Sequence, residues 1–96
     1  PNSPEYNRMM QTAVNIYPDD RQALVNLANV AIRQKDLLKA ESLLERAGDS
    51  AEALNSRAVI AIIQQRYDDA TSLLQQAAAK GLDVSKNLEA ISILKQ

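Results

Sequence analysis

Residues 21–50 lie over residues 51–80 without a gap, and that duplication constrains the fold more than any other feature of the chain. At an offset of thirty the identical pairs are Ala23/Ala53, Leu24/Leu54, Ala28/Ala58, Ala31/Ala61, Ile32/Ile62, Gln34/Gln64, Ala40/Ala70, Ser42/Ser72, Leu43/Leu73, Leu44/Leu74 and Ala47/Ala77. Val30/Ile60 and Leu37/Tyr67 are conservative matches. A gapless period of this length marks two copies of one supersecondary unit, each too small to bury its apolar face alone.

Each copy has the pattern of a helix pair. Leu24, Leu27, Ala28, Ala31 and Ile32 recur at helical spacing, "QKD" at 34–36 interrupts, and Leu37, Ala40, Leu43, Leu44 and Ala47 form a second stripe. The second copy repeats this with Leu54, Ala58, Ala61 and Ile62, then Tyr67, Ala70, Leu73, Leu74 and Ala77 after a break at Gln65–Arg66. Ala28 and Ala40, like Ala58 and Ala70, are the small residues a tight antiparallel hairpin needs where its helices approach most closely. Propensity agrees, with much Ala, Leu, Gln and Glu, two Gly, and three Pro confined to the first eighteen residues. The pattern predicts an all-α chain of about six helices, at 4–16, 20–34, 36–47, 51–64, 67–79 and 84–95.

The expected helix ends follow from local chemistry. Pro18 ends the first helix, and Asp19 or Asp20 caps the next. Asp19 with Gln22, and Asp49 with Glu52, have capping-box spacing. Gly81 suits a left-handed C-terminal cap, and Asp83 or Ser85 opens the last helix. On that helix Val84, Leu88, Ile91 and Leu94 are expected to face inward, with Lys86, Glu89, Ser92, Lys95 and Gln96 outward. It would then close an exposed edge as a capping helix.

At these positions the chain resembles the tetratricopeptide (TPR) repeat. The matching residues are Leu24, Leu27, Ala28, Ala40, Leu44 and Ala47 in one copy, and Leu54, Ala58, Tyr67, Ala70, Leu74 and Ala77 in the other. Upstream, "YNRMMQTAVNIYPDD" looks like the second helix of a preceding repeat, with Met10, Ala13 and Pro18 in register. The resemblance implies a short right-handed α-solenoid of antiparallel hairpins in a single domain spanning 1–96. Its parts are the second helix of a truncated repeat at 1–19, repeats at 20–48 and 49–80, and the capping helix at 81–96. It implies a fragment of a longer protein, and "EALNSRAVIAIIQQRYDDA" looks like repeat segments of some bacterial cell-envelope proteins, which points to a soluble periplasmic or envelope-associated domain. There are departures. The period is thirty rather than about thirty-four, Arg57 stands where the pattern wants Leu, and the large aromatics common near the start of such repeats are missing from both copies.

Candidate chemistry is sparse. Asp68 and Asp69 are adjacent, so on a helix they point about a quarter-turn apart and make a poor dyad. In a first turn they complement the macrodipole instead. Tyr67 aligns with Leu37 and is expected in the hairpin seam. The chain has no His and no Cys, which removes the usual metal ligands and the usual nucleophile and acid–base groups. No catalytic residue, metal or cofactor is expected. A net charge of −1 with interspersed signs argues against a nucleic-acid partner, and no apolar run has the length of a membrane span.

The resemblance places a partner-binding surface on the concave face of the first helices. The positions are Gln22, Val25, Asn29, Ile32 and Arg33 in one copy, and Glu52, Asn55, Val59, Ile62 and Ile63 in the other. Asn29 and Asn55 set into an aliphatic strip suit the main chain of an extended peptide, since a carboxamide both donates and accepts. Some family members grip a C-terminal carboxylate with a Lys and an Asn on one first helix. Here Val25 replaces that Lys and no basic set follows, so this mode is not expected. The function implied is a non-enzymatic interaction or scaffold module binding a protein or peptide, with homo-oligomerisation through the terminal helices as the alternative and a helical-repeat nucleic-acid binder, which the balanced charge disfavours, behind it. Arg57 is expected to bond a helix end or an acid of the adjacent unit.

Overall fold

The same turn is built twice in this chain, after Arg33 and after Ile63, and it sets the hairpin geometry. In the computed structural model, which describes residues 20–96, the helices are α1 (Arg21–Arg33), α2 (Leu37–Ala47), α3 (Ala51–Ile63), α4 (Tyr67–Ala79) and α5 (Ser85–Leu94). There is no strand among the described residues, which are all-α. Each of these helices falls within the stretch read for it from the sequence. The helix expected at 4–16 lies outside the described residues.

After α1, Lys35 N–H donates to Ile32 C=O (2.9 Å) and Asp36 N–H reaches back to Ala31 C=O (2.8 Å). After α3, Gln65 N–H donates to Ile62 C=O (3.0 Å) and Arg66 N–H to Ala61 C=O (2.8 Å). Both are Schellman turns, which satisfy the last carbonyls of a helix and reverse the chain. Lys35 and Gln65 occupy the left-handed position at φ 63°. A side chain there costs about 1 kcal/mol that glycine would avoid. A third Schellman pair follows α4, from Gly81 N–H to Ala78 C=O and Leu82 N–H to Ala77 C=O. Here the left-handed residue is glycine, Gly81 at φ 98°, as expected.

The helix starts follow the sequence reading only in part. Asp20 caps α1 by accepting from Ala23 N–H (3.1 Å), and Ser50 caps α3 by accepting from Ala53 N–H (3.2 Å). Neither expected capping box frames a helix, because each cap sits one residue later than Asp19 or Asp49. That shift puts Ala at the third helical position, where the box needs Glu or Gln. Gln22 instead donates to Asn26 Oδ1 within its own helix. Asp36 caps α2 through Lys39 N–H (3.2 Å). At α4 Arg66 provides no such bond, and Asp68 and Asp69 supply first-turn negative charge.

The chain divides into two compact units, and the boundary falls between Gly48 and Asp49. In the first, α1 and α2 form an antiparallel hairpin in which Ala28, Ala40, Leu24 and Leu44 are fully buried. In the second, α3, α4 and α5 share one core of Leu54, Ala58, Ala61, Ala70, Leu74, Ala77, Val84 and Ile91. Ala28, Ala40, Ala58 and Ala70 all have no exposed surface, so a larger side chain at the crossing would force the helices apart. Tyr67 is half-buried against the second core, in the hairpin seam.

Polar ties fix the helix directions in the second unit. Lys80 at the end of α4 donates to the Asp49 carbonyl just before α3, so these helices run antiparallel. Lys95 at the end of α5 lies 3.7 Å from Asp68 at the start of α4. Asn87 in the first turn of α5 bonds Asn55, the fifth residue of α3 (2.9 Å). Helices α3 and α5 both run antiparallel to α4 and therefore in the same direction as each other. Arg57, at the position of Leu27 in the first copy, reaches the Asp49 carboxylate at 3.1 Å. With Lys80 on its carbonyl and Arg57 on its carboxylate, Asp49 is held from two sides at the entry to α3.

On α5 the expectation is only half met. Val84 and Ile91 are buried, but Leu88 is 36 % exposed and Leu94 52 % exposed. Leu88 and Leu94 lie on opposite sides of the arc centred on Ile91, since a straight helix turns about 100° per residue. Only the middle of that arc is covered, since Ile91 is buried between the two open leucines.

Candidate interaction surface on the first helices

Asn55, Val59, Ile62 and Ile63 follow i, i+4, i+7, i+8 spacing on α3 and so form one face. Asn55, Val59 and Ile62 are half-buried, and Ile63 is 51 % exposed. Ile62 also packs against the core of its unit, so its side chain serves the scaffold as well as the surface. Glu52 is exposed at the start of the same helix.

The positions on α1 behave differently. Val25 is buried, with 3 % of its surface exposed, and is withdrawn from any surface strip. Asn29 and Ile32 are half-buried, while Gln22 and Arg33 are exposed. An aliphatic strip running through Val25 is thus corrected, because Val25 belongs to the interior and only Ile32 remains as a partly open aliphatic position on α1. The counterpart of Val25 at the same repeat position, Asn55, is polar and keeps part of its surface open.

Asn87 is absent from the sequence reading of the surface. Its Nδ2 donates to Asn55 Oδ1, and among the described residues neither Asn55 Nδ2 nor Asn87 Oδ1 has another partner. A signal for it exists in the chain. Shifting by thirty-two residues lays Asn87 and Ala90 over Asn55 and Ala58, but the regular offset of thirty hides that match.

The other sequence candidates resolve into structure. Asp68 and Asp69 pair with different cations, Lys95 and Arg66, each at 3.7 Å, and both are exposed. Pairs this open contribute little. No group of three or more acidic side chains is placed to hold a metal ion among the described residues. Asp83 accepts from the Ser85 hydroxyl (2.6 Å) and the Ser85 N–H (3.0 Å) at the start of α5, and these bonds hold its carboxyl below the usual range. The residues read as starting this helix therefore meet there. A shallow hollow on α4 is lined by Arg66, Asp69, Ser72, Leu73 and Gln76. No helix among the described residues is long and apolar enough to cross a membrane.

Compared with protein-family models, with curated proteins and with solved structures, the chain matches none.

Proposed function

We propose that this chain is a TPR-like α-solenoid segment acting as a protein-interaction module, and that it binds a peptide or protein segment through the outer face of α3. The observation that carries this reading is the duplicated hairpin. Two copies share one turn, one set of crossing alanines and one buried leucine pair, which is the construction of a surface-presenting repeat array. The face of α3 supports it, because Val59 and Ile63 stay partly open beside a carboxamide. Such a surface recognises a chain with apolar side chains and an unpaired main chain.

The test is to pan a phage-displayed random peptide library against the chain and measure the tightest selected peptide on variants. Val59→Asp and Ile63→Asp are chosen because neither belongs to the buried core, whereas Ile62→Asp would confound binding with folding. Each is expected to weaken binding about tenfold or more, since a carboxylate desolvated against an apolar ligand costs at least that. Helicity by circular dichroism should stay at the parent value. Wild-type affinity in both variants would show that the face of α3 is not the site.

A further inference from the structure

The core of the second unit is not shared evenly among its three helices. Helix α3 buries six residues and α4 three, but α5 buries Ile91 alone, with Val84 buried just before its first turn. We propose that α5 is a latch: it swings away as one piece about the Leu82–Asp83 link while α3 and α4 stay paired. Opening uncovers the part of the core beneath Val84 and Ile91 and withdraws Asn87 from Asn55. The latch is independent of which face of the chain meets a partner. An element anchored by so few apolar side chains opens at less than the free energy of global unfolding.

The joint lets α5 leave without disturbing α4. Gly81 N–H and Leu82 N–H close the last carbonyls of α4, and Lys80 ties its end to the Asp49 carbonyl before α3. No residue of α5 takes part in those bonds, so the end of α4 is complete without it. Leu82 also packs against the core and stays with α4. Asp83 is exposed and bonds Ser85, so it moves with α5. The side-chain ties on α5 itself are polar. Asn87 and Asn55 are half-buried, and the Lys95 and Asp68 side chains are 52 % and 99 % exposed. Water replaces such bonds at little net cost. Leu88, Ile93 and Leu94 keep much of their surface open in the closed form, so they add little to its hold.

The experiment is native-state amide hydrogen exchange on the full chain, read residue by residue by NMR across a series of low urea concentrations. The amides from Leu88 to Lys95 are expected to exchange as one class, about tenfold or more faster than those around Leu74. Their urea dependence should be shallower, because opening α5 exposes less surface than global unfolding. Ile91→Asp is expected to make the open form the ground state. Helicity should then fall by about the ten residues of α5, while amides of α3 and α4 stay protected. One common rate and urea dependence for all three helices would make them a single cooperative unit and overturn the inference. Ile91→Asp unfolding α3 and α4 together with α5 would overturn it too. A gradient in which protection fades toward Gln96, with Leu88 held as firmly as Leu74, would be simple end fraying and would also overturn it.

Discussion

The α1–α2 hairpin and the α3–α4 hairpin are two printings of one scaffold, and they differ where a surface is made. Both turn through the same two hydrogen bonds with a left-handed non-glycine residue at φ 63°. Both bury Ala, Ala, Leu and Leu at equivalent positions, with at most 2 % of any of these residues exposed. The differences lie at Val25 against Asn55, at Leu27 against Arg57, and at the connections that follow each hairpin. In the first copy Val25 and Leu27 are buried. In the second, Asn55 turns to Asn87 and Arg57 to Asp49. Duplication fixed what packs, and divergence put a carboxamide in the second copy where the first has a buried valine.

The comparison breaks most visibly in the core. Leu44→Ala and Leu74→Ala each remove a fully buried side chain at the same repeat position. Each is expected to cost about 2–5 kcal/mol of unfolding free energy in urea titrations, with the two values similar. A loss confined to one of them would show that the copies are not equivalent scaffolds.

A smaller effect separates the two connections. Gly48 sits at φ 82°, ψ −152°, a region essentially closed to other residues, so Gly48→Ala is expected to cost about 1–3 kcal/mol. An added Cβ would meet nothing within 4 Å at either Gly48 or Gly81, so both costs are backbone strain alone. Gly81→Ala, in the left-handed region that Lys35 and Gln65 already tolerate, should cost about 1 kcal/mol or less. Equal losses, measured in the same titration, would remove the distinction between a turn within the repeat pattern and the shortened connection after α2.

Much of this was legible in the chain because helix periodicity and a gapless duplication are local signals that packing reinforces. The five described helices, the buried alanines and the seam position of Tyr67 follow from them. The caps were legible only as chemistry within a residue or so, since Asp19/Asp20 and Asp49/Ser50 present interchangeable acceptors and the backbone geometry decides between them. Leu88 and Leu94 were misread for another reason. Helical spacing identifies an apolar face but says nothing of how much of that face its neighbours cover. The burial of Val25 and the bond from Asn87 to Asn55 depend on contacts far apart in sequence, which no single-helix pattern records.

The most direct test of the account is a map of amide chemical-shift changes as the selected peptide is titrated into the labelled chain. The expected result is a contiguous set of changes on Asn55, Val59 and Ile63, with little change on α2. Changes concentrated on α2, or on the exposed Arg66–Gln76 face of α4, with α3 silent, would contradict it.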